Sequence, residues 1–369
     1  MKICIDARPV TEQMHGISRY VLNLIMQLAL IDQKHEYLLL TGPSAKKLLP
    51  SLPENFRLKD CRTPNYSVSE QAVIPWLLKK ESVDVFHSTT YSAPVFQPCK
   101  TIVTIHDLIP LIFPEDYRWI HTVYYRQVVQ RSLKKVQSIL TVSQSSKGDL
   151  VRFFGLDQNR IVVTYNGVDD RFSPDVSGLS KKRISEVFNI KGPFILSVVN
   201  QKPHKNVAVL IRAFERFMKK AKVPYKLVIV GIGGTDELKN ISDAIHNSLI
   251  FLRRVTDDQL ITLYQNAALF VLPTLYEGFC LPVLEAMACG TPVITSNVSS
   301  LPEIAGDAAV LINPDNIDEL AGAIYNVLAN KDLQKVLREK GIRQARRFSW
   351  RETAQQTLKV YEEVLGLGG

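Results

Sequence analysis

Two carboxylates in LYEGFCLPVLEAMACGTPVIT, residues 275–295, stand beside a turn suited to phosphate. Pro282 is placed like the first residue of a helix, where its missing N–H costs nothing. Val283, Leu284 and Glu285 would then build the first turn, with their unpaired N–H groups facing the preceding loop. Such a terminus attracts phosphates. Glu277 lies in that loop and Glu285 in the helix, with seven residues between them. Carboxylates touching a phosphate would repel it, so the work open to them is accepting hydrogen bonds from sugar hydroxyls. Taken alone, Glu285 is also explained by pairing with the helix dipole.

Other residues invite the same scrutiny. KLVIVGIGGTDEL offers Gly231, Gly233 and Gly234, but Asp236 stands at the third glycine of a dinucleotide fingerprint and Phe251 where its ribose-binding acid belongs. A tight strand-to-helix turn is the better reading, and an NAD-dependent oxidoreductase loses its main support. His106 closes the apolar run TIVTIH, a position more often structural than chemical. Residues 117–137 carry Arg118, Arg126, Arg131, Lys134 and Lys135 without an acid, interleaved with Trp119, Tyr124 and Tyr125. That stretch suits contact with an anionic membrane surface, and equally a solvated basic helix face.

The elements that must hold these residues are legible as alternation. Apolar, β-branched runs at 2–6, 37–41, 84–88, 101–106, 138–143 and 161–166 alternate with helical stretches such as 18–31 and 117–136. This is the pattern of βαβ units on a parallel sheet. A polar, basic stretch follows, and alternation resumes at 194–199, 226–231, 249–254, 268–273 and 292–296. The expected organisation is an N-terminal Rossmann-like domain over 1–173, a linker over 174–193, and a second such domain over 194–347. A terminal helix within 348–369 would be capped by Ser349, with Glu352 three residues on, and pack back on the first domain. Two parallel sheets of this kind would present their carboxyl ends to a central cleft, where ligands of open α/β sheets bind.

Composition narrows the classes. The 369 residues are 46% hydrophobic and 22% charged, ample for two cores, and the net charge of +9 favours acidic ligands without choosing one. Charged residues are dispersed and no nucleic-acid module is recognisable, so nucleic acid is not an expected partner. Five cysteines form no CxxC pair, which indicates neither a zinc site nor a disulfide framework. With no signal peptide and no apolar run of about 18 residues, a cytoplasmic protein is expected.

The motifs resemble the retaining nucleotide-sugar glycosyltransferases of the GT-B fold, group 1, family 4. That family's EGFGLPVLEAMACGTPVI pattern is matched from Glu277 to Ile294, with Cys280 replacing the usual glycine. Family landmarks follow in order: IDARP (5–9), GISRY (16–20), IHDLIPLIFP (105–114), VSQSSKGDL (142–150), YNGVDDRF (165–172), HKNVAVLIRAF (204–214), VTDDQLITLYQNA (255–267) and FSW (348–350). The resemblance spans essentially the whole chain.

It implies that Glu285 holds the nucleotide ribose, and that Glu277 with the backbone of Gly278, Phe279, Cys280 and Leu281 binds donor sugar and phosphate. Lys205 would neutralise the diphosphate leaving group, where negative charge develops. His204 stands where the family commonly has arginine. His106 would approach the donor sugar, Gly16 would let backbone approach the donor phosphate, and Asp107 would orient either its own loop or the acceptor. Val255 and Leu260 would line the nucleobase pocket, which Arg253 alters by replacing a common glycine. The implied chemistry is hexosyl transfer with retention, by front-face attack, without a cofactor or metal; no Asp-x-Asp occurs in the sequence. Among donors GDP-mannose ranks first and a UDP-hexose second. The acceptor would be a glycan or lipid-linked glycan of bacterial envelope polysaccharide, reached at the inner face of the plasma membrane. A GT-B sugar-nucleotide epimerase or phosphorylase would share the same architecture, and its products would tell it apart.

Overall fold

A computed structural model describes residues 1–12, 15–91, 93–175, 179–233 and 243–367; within helices, the side chains of 120–122, 179–183 and 243–244 are outside that description. Gly234 and Asp236 of the glycine-rich turn also fall outside it. The chain forms two compact units, one of Met1–Gly167 with Ser349–Gly369 and one of Val168–Phe348.

The first unit is built on a seven-stranded parallel sheet. Its strands are β1 (Lys2–Asp6), β2 (Glu36–Thr41), β3 (Phe56–Asp60), β4 (Val85–Ser88), β5 (Lys100–Ile105), β6 (Ser138–Thr141) and β7 (Ile161–Val163), in the order β3-β2-β1-β4-β5-β6-β7. The inner strands are nearly continuous apolar runs because helices cover both faces of a parallel sheet. Strand β3 lies at the edge and is largely in solvent, burying Phe56 while Arg57, Leu58 and Asp60 are exposed.

Helix Gly16–Ile31 buries Tyr20, Val21, Leu24, Ile25 and Leu28, one stripe at helical spacing. The terminal helix Trp350–Leu365 starts at Ser349, whose hydroxyl accepts the N–H groups of Arg351 and Glu352. It packs against helix Gly16–Ile31 and joins the core through Tyr361, whose hydroxyl is 2.6 Å from His87 Nδ1. Gly167 permits this approach, since a Cβ there would meet the Trp350 nitrogen at 2.0 Å. Arg8 and Asp6 form a buried ion pair through Nε to Oδ1 at 2.8 Å, and Arg8 Nη1 donates to the Thr63 carbonyl. This fixes the chain leaving β1.

The second unit carries β8 (Phe194–Val198), β9 (Lys226–Val230), β10 (Leu249–Leu252), β11 (Leu269–Leu272), β12 (Val293–Ser296) and β13 (Val310–Ile312), all parallel, in the order β10-β9-β8-β11-β12-β13. Its order reverses between β8 and β11, the switch point where loops from adjacent strands diverge. The stretch 174–193, expected as a linker, carries helix Leu179–Phe188 packed on helix Asp257–Asn266 in the second unit. Of its described side chains, Ser185, Glu186 and Val187 are exposed and Ile184 is buried.

Residues 117–136, expected as one helix, form an α-helix Trp119–Tyr124, a π-helical turn Tyr125–Val129 and an α-helix Gln130–Leu133. Trp119 is exposed, whereas Tyr125 is turned into the core. Among the described residues, no helix is long and apolar enough to cross a membrane.

Candidate active site

The loops leaving β8 and β11 supply the expected donor residues. After β8 the chain makes a turn at Pro203–Lys205 and enters helix Val207–Met218. After β11 it runs through Glu277 to helix Leu281–Ala288. The two loops are tied by backbone, because the His204 carbonyl accepts Leu275 N–H at 2.8 Å and the Thr274 hydroxyl at 2.9 Å. The backbone of His204 thus joins the two loops, and its ring is buried.

This tie brings Lys205 and Glu277 together. Lys205 Nζ lies 2.5 Å from Glu277 Oε1, and both side chains are largely withdrawn from solvent. The Glu277 backbone is pinned as well: its N–H donates to Ser299 Oγ, and Ser300 Oγ donates to the carbonyls of Glu277 and Phe279. These serines were not among the residues read from sequence. Their signal, the paired Ser299–Ser300 ahead of helix Leu301–Ala305, is common in any loop before a helix.

Helix Leu281–Ala288 begins one residue earlier than expected, so Pro282 is its second residue. Cys280 precedes it at φ +85°, in the left-handed region that favours glycine. That conformation explains why the resembling pattern carries glycine there. The Cys280 thiol is pushed well above its ordinary pKa, first by burial and then by the Glu277 carboxylate, with Lys205 opposing. Gly278 and Phe279 are buried, and Phe279 packs edge-on against Phe348. Leu281 is half-buried.

Glu285 is buried within this helix and its Oε2 accepts the Tyr264 hydroxyl at 3.0 Å. Burial, and then the Glu285 charge, hold the Tyr264 phenol far above its ordinary pKa, so it stays a neutral donor. In the sequence VTDDQLITLYQNA, Tyr264 has the look of an ordinary helix residue. Val255 is half-buried and Leu260 buried at the start of its helix, which Thr256 and Gln259 cap reciprocally. At the end of β9, Gly231 adopts φ +103°, where a Cβ would strike the Val199 carbonyl at 1.8 Å. The strand therefore ends on a glycine-dependent bend, and the rest of the turn expected from the glycines lies outside the described residues.

The remaining candidates lie in the first unit. His106 follows β5 and is buried, with Nε2 donating to the Thr89 carbonyl at 3.2 Å and the Tyr20 ring edge-on at 4.8 Å. Burial is the main reason its pKa falls to about 4, so the imidazole is neutral near pH 7 with Nδ1 as its acceptor nitrogen. Asp107 Oδ1 accepts the Ile109 N–H at 3.1 Å. Gly16 opens the helix after β1, and a Cβ there would meet no atom within 4 Å. His15 caps that helix, its Nδ1 accepting the Ser18 N–H.

Residues 180–344 match the family model for glycosyl transferases group 1, and residues 14–172 that for glycosyltransferase family 4. The chain is 27% identical over 383 residues to the O-antigen chain mannosyltransferase B of Escherichia coli, covering 98% of this chain and all of that protein. It is 29% identical over 259 residues to the O-antigen chain mannosyltransferase RfbU of Salmonella typhimurium, covering 68% of this chain and 67% of that one. A crystal structure of Anabaena HepE in complex with UDP and glucose superposes with a TM-score of 0.76 at 17% identity, covering 98% of this chain and 100% of that one.

Proposed function

We propose, for a chain that belongs to the group 1 glycosyltransferases and has their two-domain GT-B fold, that it transfers mannose from GDP-mannose to a growing envelope glycan. The observation that carries this reading is the Lys205–Glu277 pair on loops flanking the β8–β11 reversal, with buried Glu285 on the helix that follows. Lys205 would meet the diphosphate, whose charge grows as the glycosidic bond breaks. Glu277 would accept hydrogen bonds from donor-sugar hydroxyls and Glu285 from the ribose. Val255 and Leu260 would flank the base, and the backbone from Gly278 to Leu281 the donor sugar and phosphate. In the first unit, neutral His106 would accept a hydroxyl through Nδ1, Gly16 would admit the phosphate, and Asp107 would orient the acceptor.

Retention of configuration, by front-face attack in which the departing phosphate takes the acceptor proton, accords with the family resemblance. Mannose as the donor sugar is supported by the two O-antigen mannosyltransferases among the relatives. A UDP-hexose is the second reading, favoured by the UDP and glucose held by HepE. Exposed Trp119 and Val123, flanked by Arg118 and Arg126, would rest on anionic headgroups at the cytoplasmic face while a lipid-linked acceptor is engaged.

The test is a melting panel with GDP, GDP-mannose, UDP and UDP-glucose, followed by product analysis on a mannose-containing acceptor. A ligand bound only by the folded state at a hundredfold excess over Kd adds about 2.7 kcal/mol of stability. If no nucleotide diphosphate or sugar nucleotide raises the melting temperature, the donor-site assignment fails. An inverted product would remove the retaining mechanism.

A further inference from the structure

The core of the first unit includes Tyr125, with Tyr91 and Tyr124 packed against it, and its packing leaves the polar end of Tyr125 unused. Tyr125 opens the π-helical turn Tyr125–Val129, is only 4% exposed, and buries a hydroxyl that makes no hydrogen bond among the described residues. Buried tyrosine hydroxyls are ordinarily satisfied, and π-helical turns recur at functional sites. The rings continue outward from it. Tyr91 is 5.6 Å from Tyr125, Tyr66 is 5.8 Å from Tyr91, and Tyr124 meets Tyr66 edge-on at 6.1 Å. Tyr66 itself is held at φ +64°, a conformation rare for a bulky residue.

Two more buried polar atoms without partners lie on the segments that carry these rings or neighbour them. They are Asn65 Oδ1, beside Tyr66 in sequence, and Gln71 Nε2, whose own Oε1 is held by Val95 N–H. The Asp107 carboxylate is near enough to add to the upward push that burial gives the Tyr91 and Tyr125 phenols.

We propose that Tyr66, Tyr91 and Tyr125, with Asp107, form a subsite for a neutral pyranose ring of the acceptor. The proposal rests on the glycosyltransferase reading above and names what that reading leaves open. Aromatic faces with a few convergent polar groups are the lining of a small-molecule site. A pyranose offers both apolar C–H faces and hydroxyls, which tyrosine rings, phenol hydroxyls and a carboxylate can meet together. A phosphate is disfavoured by the negative charge of Asp107, which no nearby Tyr offsets; Glu70, which accepts the Tyr66 N–H at 2.8 Å, is already paired with Arg8 at 3.6 Å.

The experiment titrates the full chain with methyl α-D-mannopyranoside, followed by saturation-transfer NMR without any donor. Calorimetry with GDP and UDP runs in parallel. Tyr125→Phe should weaken glycoside binding about 2- to 10-fold, the loss of one hydrogen bond, and leave nucleotide binding unchanged. Its melting temperature should stay level or rise, since an unsatisfied buried hydroxyl has been removed. Tyr91→Leu, which deletes a ring, should weaken the glycoside further.

The subsite is overturned if the native chain does not bind the glycoside, or if both variants bind it as well as the native chain. It is also overturned if Tyr125→Phe lowers the melting temperature, because the hydroxyl would then be structural. Inorganic pyrophosphate that binds the native chain and is lost in Tyr125→Phe would assign the cluster to an anion and overturn the neutral ring. Failure of GDP and UDP to bind would sink the donor reading instead, with the glycoside arm still deciding the subsite.

Discussion

Lys205 and Glu277, 72 residues apart, form an ion pair of 2.5 Å between side chains that are only 12% and 10% exposed. An anion that engages Lys205 must compete with this carboxylate, so the pair couples recognition of the diphosphate to the position of Glu277. We expect Glu277→Gln to bind plain GDP or UDP at least as tightly as the native chain, because the competing charge is gone. Transfer should fall about 10- to 150-fold, the loss of a charged acceptor worth roughly 1.5 to 3 kcal/mol. Calorimetry with the diphosphate and a turnover assay decide it; weaker diphosphate binding in this variant would contradict the coupling.

Glu285 should behave in the opposite way, and Tyr264 should behave with it. Glu285→Gln is expected to weaken diphosphate binding about 10-fold or more, by the same charged hydrogen-bond loss. Tyr264→Phe removes the donor that fixes Oε2 and should blunt the preference for ribose over 2′-deoxyribose nucleotides. A purely structural tyrosine would lower stability and leave that preference ratio intact. The comparison is GDP against 2′-deoxy-GDP in both proteins.

The sequence was most informative where burial imposes a pattern. The inner strands β1, β4, β5, β8, β9 and β11 are apolar runs because both faces are covered, and they were legible as such. Strand β3 was not, because FRLKD lies at an edge with most of its side chains in solvent; β13 is three residues long and carries no period. The carboxylates were found through their helix-start context, and Ser349 through its cap. Pairings between separate elements had no sequence signal: neither Lys205 with Glu277 nor Tyr264 with Glu285 follows from spacing. The inward turn of Tyr125 was hidden for another reason. A π-helical turn shifts the face that each residue presents, so a basic stretch read as one surface helix conceals a buried tyrosine.

Cys280 offers a test of backbone strain in the donor loop. Its φ of +85° is one that a Cβ opposes, at a cost of roughly 1–2 kcal/mol. Replacing the thiol with either alanine or glycine removes the sulfur packing, and only glycine also removes the strain. Cys280→Gly is therefore expected to be more stable than Cys280→Ala by about 1 kcal/mol in urea unfolding. Equal stabilities, or a more stable alanine variant, would show that the loop relaxes around a side chain.

The first unit should lose stability on the acid side because it buries two neutral histidines. His87 has its pKa lowered to about 3, chiefly by burial and then by His106, and His106 has its own lowered to about 4. In the unfolded chain both titrate near 6.5. Above that pH neither state carries the protons, and the full stability is present. As pH falls below about 6.5 the unfolded state binds protons that the folded state refuses, so stability declines until the folded pKa values are reached. Each imidazole kept neutral below that point costs about 1.4 kcal/mol for every further drop of one in pH, so the two together lose about 2–4 kcal/mol between pH 7 and pH 5. His106→Asn should remove about half of that pH dependence, whatever it does to the stability at pH 7. Urea unfolding at pH 7 and pH 5, followed by a probe confined to the first unit, measures the slope. A native chain equally stable at both pH values would mean that the imidazoles are not held neutral.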